Sequence, residues 1–259
     1  MSAAAAWQVR AEELLSRARN GEITYTAFLT PAEQHALMRA MPWAKSEMHV
    51  DGGYAAAERA RIFFLPPFLA EADEETLTAC LADAKEDCLI PLRLQGSGFR
   101  ELHHKDYLGA VLNLGIERDA LGDLCVTDAH TAILFCDRVM ARFLTENLTR
   151  VANDAVRVTT ATLSPDFDGG RKFLPVTDTV ASARADGVVA ALANLSREKA
   201  QALFREGLIE IDYERAEKPD QQLQAPCVIV IRGKGKFILR SLSEQTKKGR
   251  IRLLADKYL

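Results

Sequence analysis

Residues 184–211 read RADGVVAALANLSREKAQALFREGLIEI. Two short helices are predicted here, over Arg184–Leu192 and Ser196–Arg205, joined by a tight turn at Ala193-Asn194-Leu195. Ser196 suits an N-cap, because its hydroxyl can accept from an unpaired first-turn amide. Leu195 before it and Ala200 after it are placed for a hydrophobic staple. On the second helix Ala200, Leu203 and Phe204 share one face, and Arg197, Gln201 and Arg205 recur every four residues on another. The apolar face should pack inward and the arginine face should meet solvent or a ligand. Leu208–Ile211 and Cys227–Ile231 read as strands, and Gly233 and Gly235 allow a turn into Phe237–Leu239. Lys172–Ala181 reads as a strand leading into this module, so residues 172–259 are expected to form a helix pair on a small β-sheet.

The charge of the chain changes at the same place. All 259 residues carry a formal net charge of −3. Residues 1–179 hold 18 basic and 26 acidic side chains, net −8, and residues 180–259 hold 15 and 10, net +5. Between Arg232 and Arg252 lie Arg232, Lys234, Lys236, Arg240, Lys247, Lys248, Arg250 and Arg252 against one acid, Glu244. A basic module on an acidic chain is an electrostatic footprint for a polyanion; the alternative is a solvated surface. A helix N-terminus accepts phosphate through its free amides and partial positive charge. Arginine adds a planar fork that can grip phosphate with two bonds. The candidate nucleic-acid contacts are therefore Arg184, Ser196, Arg197, Lys199, Gln201, Arg205, Arg232, Lys234 and Lys236. Arg197 has a second possible role, pairing with Asp186 to hold the helices together, and the two roles can coexist.

Residues 1–87 read as a helical region. Thr30-Pro31-Ala32-Glu33 is a capping box with proline at the first helical position. Leu37, Met38 and Met41 give that helix an apolar face. Gly52-Gly53 breaks the chain before a short helix near Tyr54–Ala60. Residues 88–162 follow another pattern. Strands are predicted at Cys88–Leu94, Asp123–Val126, Ala132–Cys136 and Val156–Thr162. Helices are predicted at His104–Leu114 and from Asp137 to about Arg150, the latter with a stripe of Val139, Met140, Phe143, Leu144 and Leu148. The order β-α-β-β-α-β is that of a ferredoxin-like, RRM-like domain. RRM binding stacks bases on strand aromatics. The first strand has none and the third has only Phe135, so that mode is not expected. His104 and Lys105 at a helix start are a second candidate RNA contact. Leu163–Arg171, with Pro165 and Gly169-Gly170, reads as a linker. The class is α+β.

Several functions are disfavoured. A membrane-spanning helix needs about 20 apolar residues; the longest run here, Ile62–Ala70, is interrupted by Pro66-Pro67. The N-terminus lacks the pattern of a secretory signal. Cys80, Cys88, Cys125, Cys136 and Cys227 are odd in number and lack C-x-x-C spacing, which fits reduced thiols in a cytoplasm. His103-His104 with Asp106 lacks further ligands, so no metal is expected. Gly96-Ser97-Gly98 lacks the third glycine of a dinucleotide loop, and no Walker motif or G-x-S-x-G elbow occurs. No cofactor and no catalytic residue is assigned. An RNA-modifying site within residues 50–160 and an interaction protein for cell division are the alternatives to a non-enzymatic RNA binder.

The C-terminal module resembles the small RNA-binding domain named for small-subunit ribosomal protein four, the S-four domain. The residues that carry the likeness are Ser182-Ala183-Arg184-Ala185-Asp186, Leu195-Ser196-Arg197, Gly207-Leu208-Ile209-Glu210-Ile211 and Arg232-Gly233-Lys234-Gly235-Lys236-Phe237. Ala185 stands where that domain usually has Leu, Asp212 where Asn is usual, and Pro226-Cys227 where a Gly-Asp turn is usual. Asp212 is expected to add negative charge near the RNA face. Upstream, Gly52-Gly53-Tyr54 with Glu58-Arg59, His104–Gly109, Leu112–Ile116 and Leu121-Gly122-Asp123 resemble the YlmH family of bacterial RNA-binding proteins over nearly the whole chain. S-four domains also accompany RNA-modifying enzymes and tyrosyl-tRNA synthetases, whose catalytic signatures are absent here. The resemblance implies a non-enzymatic cytoplasmic factor, monomeric when free, that binds structured RNA. It implies ribosomal RNA, with tRNA as a further ligand, on the large ribosomal subunit. It further implies a role on stalled complexes carrying peptidyl-tRNA, in rescue or quality control of nascent chains.

Overall fold

Phe135 lies at the centre of the N-terminal half, fully buried between two layers that the sequence treats as separate regions. The computed structural model describes residues 3–245 and 249–259. It divides into two compact units, Met1–Gly170 and Arg171–Leu259.

The first unit begins with α1 (Ala3–Arg19), β1 (Thr24–Tyr25), α2 (Pro31–Ala40), β2 (Met48–Asp51), β3 (Arg61–Phe64), α3 (Pro67–Ala70) and α4 (Glu74–Cys88). The capping box forms as expected: Glu33 N donates to Thr30 Oγ1 and Thr30 N donates to Glu33 Oε2. The region is not wholly helical, however. β1, β3 and β2 form a three-stranded sheet with β3 central. All four residues of β3 are buried, so its apolar side chains face both ways and carry no alternation to betray a strand. Residues 54–60 form turns rather than the expected helix, because Glu58 N and Arg59 N donate to Asp123 instead of to helical carbonyls.

The chain continues through β4 (Ile90–Gly96), α5 (His104–Leu112), β5 (Leu121–Asp128), β6 (Thr131–Cys136), α6 (Arg138–Asn147), β7 (Arg150–Val151) and β8 (Asp154–Thr160). The sheet order is β5-β6-β4-β8-β7, all antiparallel. Without the short β7 this is the ferredoxin-like order. Asp137 caps α6 by accepting from Met140 N. Leu144 and Leu148 turn inward, whereas Val139 of the expected stripe is 80% exposed. One sheet face packs under α5 and α6 through Leu92, Leu94, Leu134, Val156 and Val158. On the other face Cys125, Ile133, Phe135 and Ala161 pack against Phe28, Phe63, Leu65 and Leu81. Residues 1–87 and 88–162 thus share a core. The expected linker joins it: Phe167 lies edge-on to Tyr54 at 5.1 Å between ring centroids.

The second unit contains β9 (Phe173–Val180), α7 (Ala185–Ala193), α8 (Arg197–Arg205), β10 (Ile209–Ile211), β11 (Glu214–Arg215), β12 (Cys227–Ile231), β13 (Gly235–Gln245) and β14 (Ile251–Tyr258). α7 closes at Asn194, whose left-handed φ of 52° suits a short polar side chain. Its core joins Val188, Val189, Leu192, Ala200 and Phe204 of the helix pair to Ile209, Ile229, Ile231, Phe237, Leu239 and Leu253 of the sheet. The sheet has six strands, ordered β11-β10-β12-β13-β14-β9. β14 has no counterpart in the sequence expectation.

Candidate nucleic-acid interface

The helix pair is organised around one buried carboxylate. Asp186 is fully buried near the start of α7. Arg197 Nη2 lies 2.9 Å from both of its oxygens. Arg184 donates to it through Nε and Nη2 at 3.2 and 3.1 Å, and Gln201 Nε2 donates at 2.9 Å. Burial alone would raise the Asp186 pKa, but these hydrogen bonds outweigh it and hold the carboxyl well below the usual range. Three of the candidate RNA contacts therefore converge on an acid. Gln201 stands one helical turn after Arg197, so both side chains lie on one face of α8 and reach the same acceptor.

The arginines are not consumed by this pairing. The Arg197 side chain is 55% exposed and that of Arg184 34%. Ser196 caps α8 by accepting from Lys199 N at 3.3 Å. Arg197 also lines a groove of about 290 Å³ with Gly187, Ala190, Asn194, Thr179 and Arg250. Lys199 and Arg205 are exposed on α8 with no acidic partner among the described residues.

A second basic group sits on the β12–β13 turn. Arg232 pairs with Glu210 at 3.1 Å. Lys234 is exposed at the tip. Lys236 is half-buried, its Nζ 4.6 Å from the Tyr258 ring centroid and 5.3 Å from that of Tyr213. No local sequence signal links Lys236 to Tyr258, which arrives on the strand β14. Asp212 adopts a left-handed φ of 47°, and its Oδ1 accepts from Val228 N. Its carboxylate thus serves a turn, where asparagine would also fit. Lys247 and Lys248 lie outside the described residues.

His104 and Lys105 belong to the other unit. Both are exposed on the first turn of α5. Partial burial and the neighbouring Arg118 lower the His104 pKa, while Asp123 opposes them. Asp106, the other member of the His-His-Asp stretch, accepts from His103 N and so stabilises the helix start.

The motifs around Tyr54 and Asp123 meet in space and form a structural lock. Tyr54 Oη and Glu58 N both donate to Asp123 Oδ2 at 2.7 Å, and Arg59 N donates to Oδ1 at 3.0 Å. The Arg59 guanidinium is buried and donates to the carbonyls of Phe28, Arg118 and Leu121. Tyr54 stacks on Phe135 at 5.2 Å between centroids. The aromatic on which an RRM would stack a base is thus covered by the protein itself.

Residues 93–165 match a family model described as "Putative RNA-binding domain in YlmH". The chain is 28% identical over 236 residues to the Bacillus subtilis (strain 168) protein named ribosome-associated protein quality control protein P2, covering 90% of this chain and 86% of that one. Among solved structures, the cell division protein ylmH from Streptococcus pneumoniae aligns with a TM-score of 0.49 and 14% identity, over 65% of this chain and 96% of that one. The likeness to the YlmH family holds. No helix among the described residues is long and apolar enough to cross a membrane.

Proposed function

We propose that this chain is a non-enzymatic RNA-binding factor that acts on the large ribosomal subunit in the cytoplasm, contacting ribosomal RNA and, on stalled complexes, tRNA. The observation that carries the reading is the cationic surface of the second unit. Lys199, Arg205 and Lys234 are exposed and have no acidic partner among the described residues, and Arg197 and Arg184 keep exposed area beyond Asp186. Folded RNA is recognised through shape, phosphates and 2′-hydroxyls, which suits a rigid helix pair with spaced cations. The family match supports RNA as the polyanion, and the name of the Bacillus relative supports the ribosome as its setting.

Binding through about four to six phosphates should give a log–log salt slope of about −3 to −5, at about 0.7–0.9 per phosphate. Titrating the full chain with a ribosomal RNA hairpin across a salt series measures this. A flat dependence would overturn the reading.

A further inference from the structure

The sheet of the first unit is only half covered. Phe135, Ile133 and Cys125 of β6 and β5 lie beneath the N-terminal layer. On the same face, β4 and β8 leave Arg93, Gln95, Ala155 and Arg157 exposed. Alternation fixes this placement, since Leu92, Leu94, Val156 and Val158 point to the helices. In register, Arg93 faces Thr159 and Gln95 faces Arg157. The two arginines are therefore diagonal neighbours, about 7–8 Å apart at their backbones. Neither has a carboxylate partner among the described residues, and no acid occupies the exposed positions of β4 or β8 on this face. Beyond the end of β4, the loop Gly96-Ser97-Gly98 carries Phe99, which is 80% exposed. An aromatic this exposed gains nothing from the fold, and the two arginines on the sheet repel each other in the free protein.

We infer that Arg93, Gln95, Arg157 and Phe99 form a second RNA contact, one that takes unpaired nucleotides by gripping phosphates with the arginines and stacking a base on Phe99. The inference rests on the RNA-binding reading above and adds to it a surface and a substrate class. It differs from RRM recognition: the central aromatic, Phe135, is sealed inside, and the stacking ring comes from the loop that leaves the sheet. Arginine forks on strands suit phosphate, and a base face stacks on an aromatic without regard to sequence.

The test uses the full chain and two probes, a ribosomal RNA hairpin with a single-stranded overhang and the same hairpin blunt-ended. The Arg93→Ala/Arg157→Ala variant should bind the overhang probe at least about tenfold more weakly, as expected for loss of charge-assisted contacts. Its log–log salt slope should be shallower by about 1.4–1.8, two phosphates at about 0.7–0.9 each. Phe99→Ala should weaken the overhang probe by about tenfold, the cost of a lost stack, and leave the blunt probe unchanged. Arg10→Ala/Arg142→Ala makes the same charge change at exposed helix positions elsewhere and should bind like wild type. Thermal melting of each variant should match wild type, since all five substituted side chains are exposed. Wild-type affinity and slope in the double variant would overturn this inference alone. Failure of the wild-type chain to bind either probe at low salt would instead overturn the RNA-binding reading beneath it.

Discussion

Arg197 reaches the buried carboxylate of Asp186 through a single nitrogen, Nη2, which lies 2.9 Å from both oxygens. Its side chain remains 55% exposed, so one guanidinium can brace α7 against α8 and still offer donors to phosphate.

That geometry predicts a graded response. Arg197→Ala leaves Asp186 with Arg184 and Gln201, so stability should fall by only about 1–2 kcal/mol. RNA affinity of the folded protein should fall by about 1–3 kcal/mol as well. Arg184→Ala/Arg197→Ala strips a fully buried charge of both cations and should cost about 3–5 kcal/mol, more than the single losses combined. Denaturant titration of Arg184→Ala, Arg197→Ala and the double variant checks this; strict additivity would show that the carboxylate is not shared.

Acid should loosen the second unit. Asp186 has a folded pKa below its unfolded value of about 3.9, so the folded state binds the proton more weakly. Its stabilisation is complete well above pH 4 and is lost as pH falls through the folded value. Asp186→Asn should melt lower at neutral pH and show a flatter decline below pH 4. A decline as steep as that of wild type would assign the acid sensitivity to other carboxylates. Asp51 in the first unit is a separate contributor. Burial opposes its ionisation, but bonds from His49, Lys85 and Gly53 N hold it at about 2.

The first unit depends on its lock. Gly53 has φ 94°, and a Cβ there would lie 2.6 Å from the Phe135 ring. Gly53→Ala should therefore cost well over about 1 kcal/mol, from backbone strain and overpacking together. Asp123→Ala removes the acceptor of three hydrogen bonds at a buried site and should cost about 2–4 kcal/mol. Melting curves measure both. A neutral Gly53→Ala would contradict the close approach of residues 52–54 to β6.

Capped and periodic elements were the legible part of this chain. Thr30–Glu33, Asp137 and Ser196 each announce a helix through local chemistry, and each helix forms where expected. The β-α-β-β-α-β order was legible for the same reason, because Val156 and Val158 alternate with exposed neighbours. β3 was not legible, since a strand buried on both faces has no period to show. The Tyr54–Asp123 lock joins residues 69 apart, and no local pattern encodes that pairing. On α8 the arginine spacing was visible, but not that Arg197 and Gln201 turn toward the same carboxylate. Arg93 and Arg157 look like ordinary surface charges until the strand register makes them neighbours.

The β12–β13 turn offers a cleaner probe of RNA contact than the helix pair. Lys234 is at its exposed tip, and Arg232 pairs with Glu210 near the surface. Arg232→Ala/Lys234→Ala should change stability by less than about 0.5–1 kcal/mol. It should weaken RNA binding and make the log–log salt slope shallower by about 1.4–1.8. An unchanged slope would place this turn outside the interface.

Sedimentation with ribosomal subunits tests the central claim most directly. The full chain, added to cell extract at low salt and run on a density gradient, is predicted to co-migrate with free large subunits. It should return to the top of the gradient as salt rises, and the Arg232→Ala/Lys234→Ala variant should leave at lower salt than wild type. Wild-type protein that stays at the top of the gradient at low salt would contradict the account.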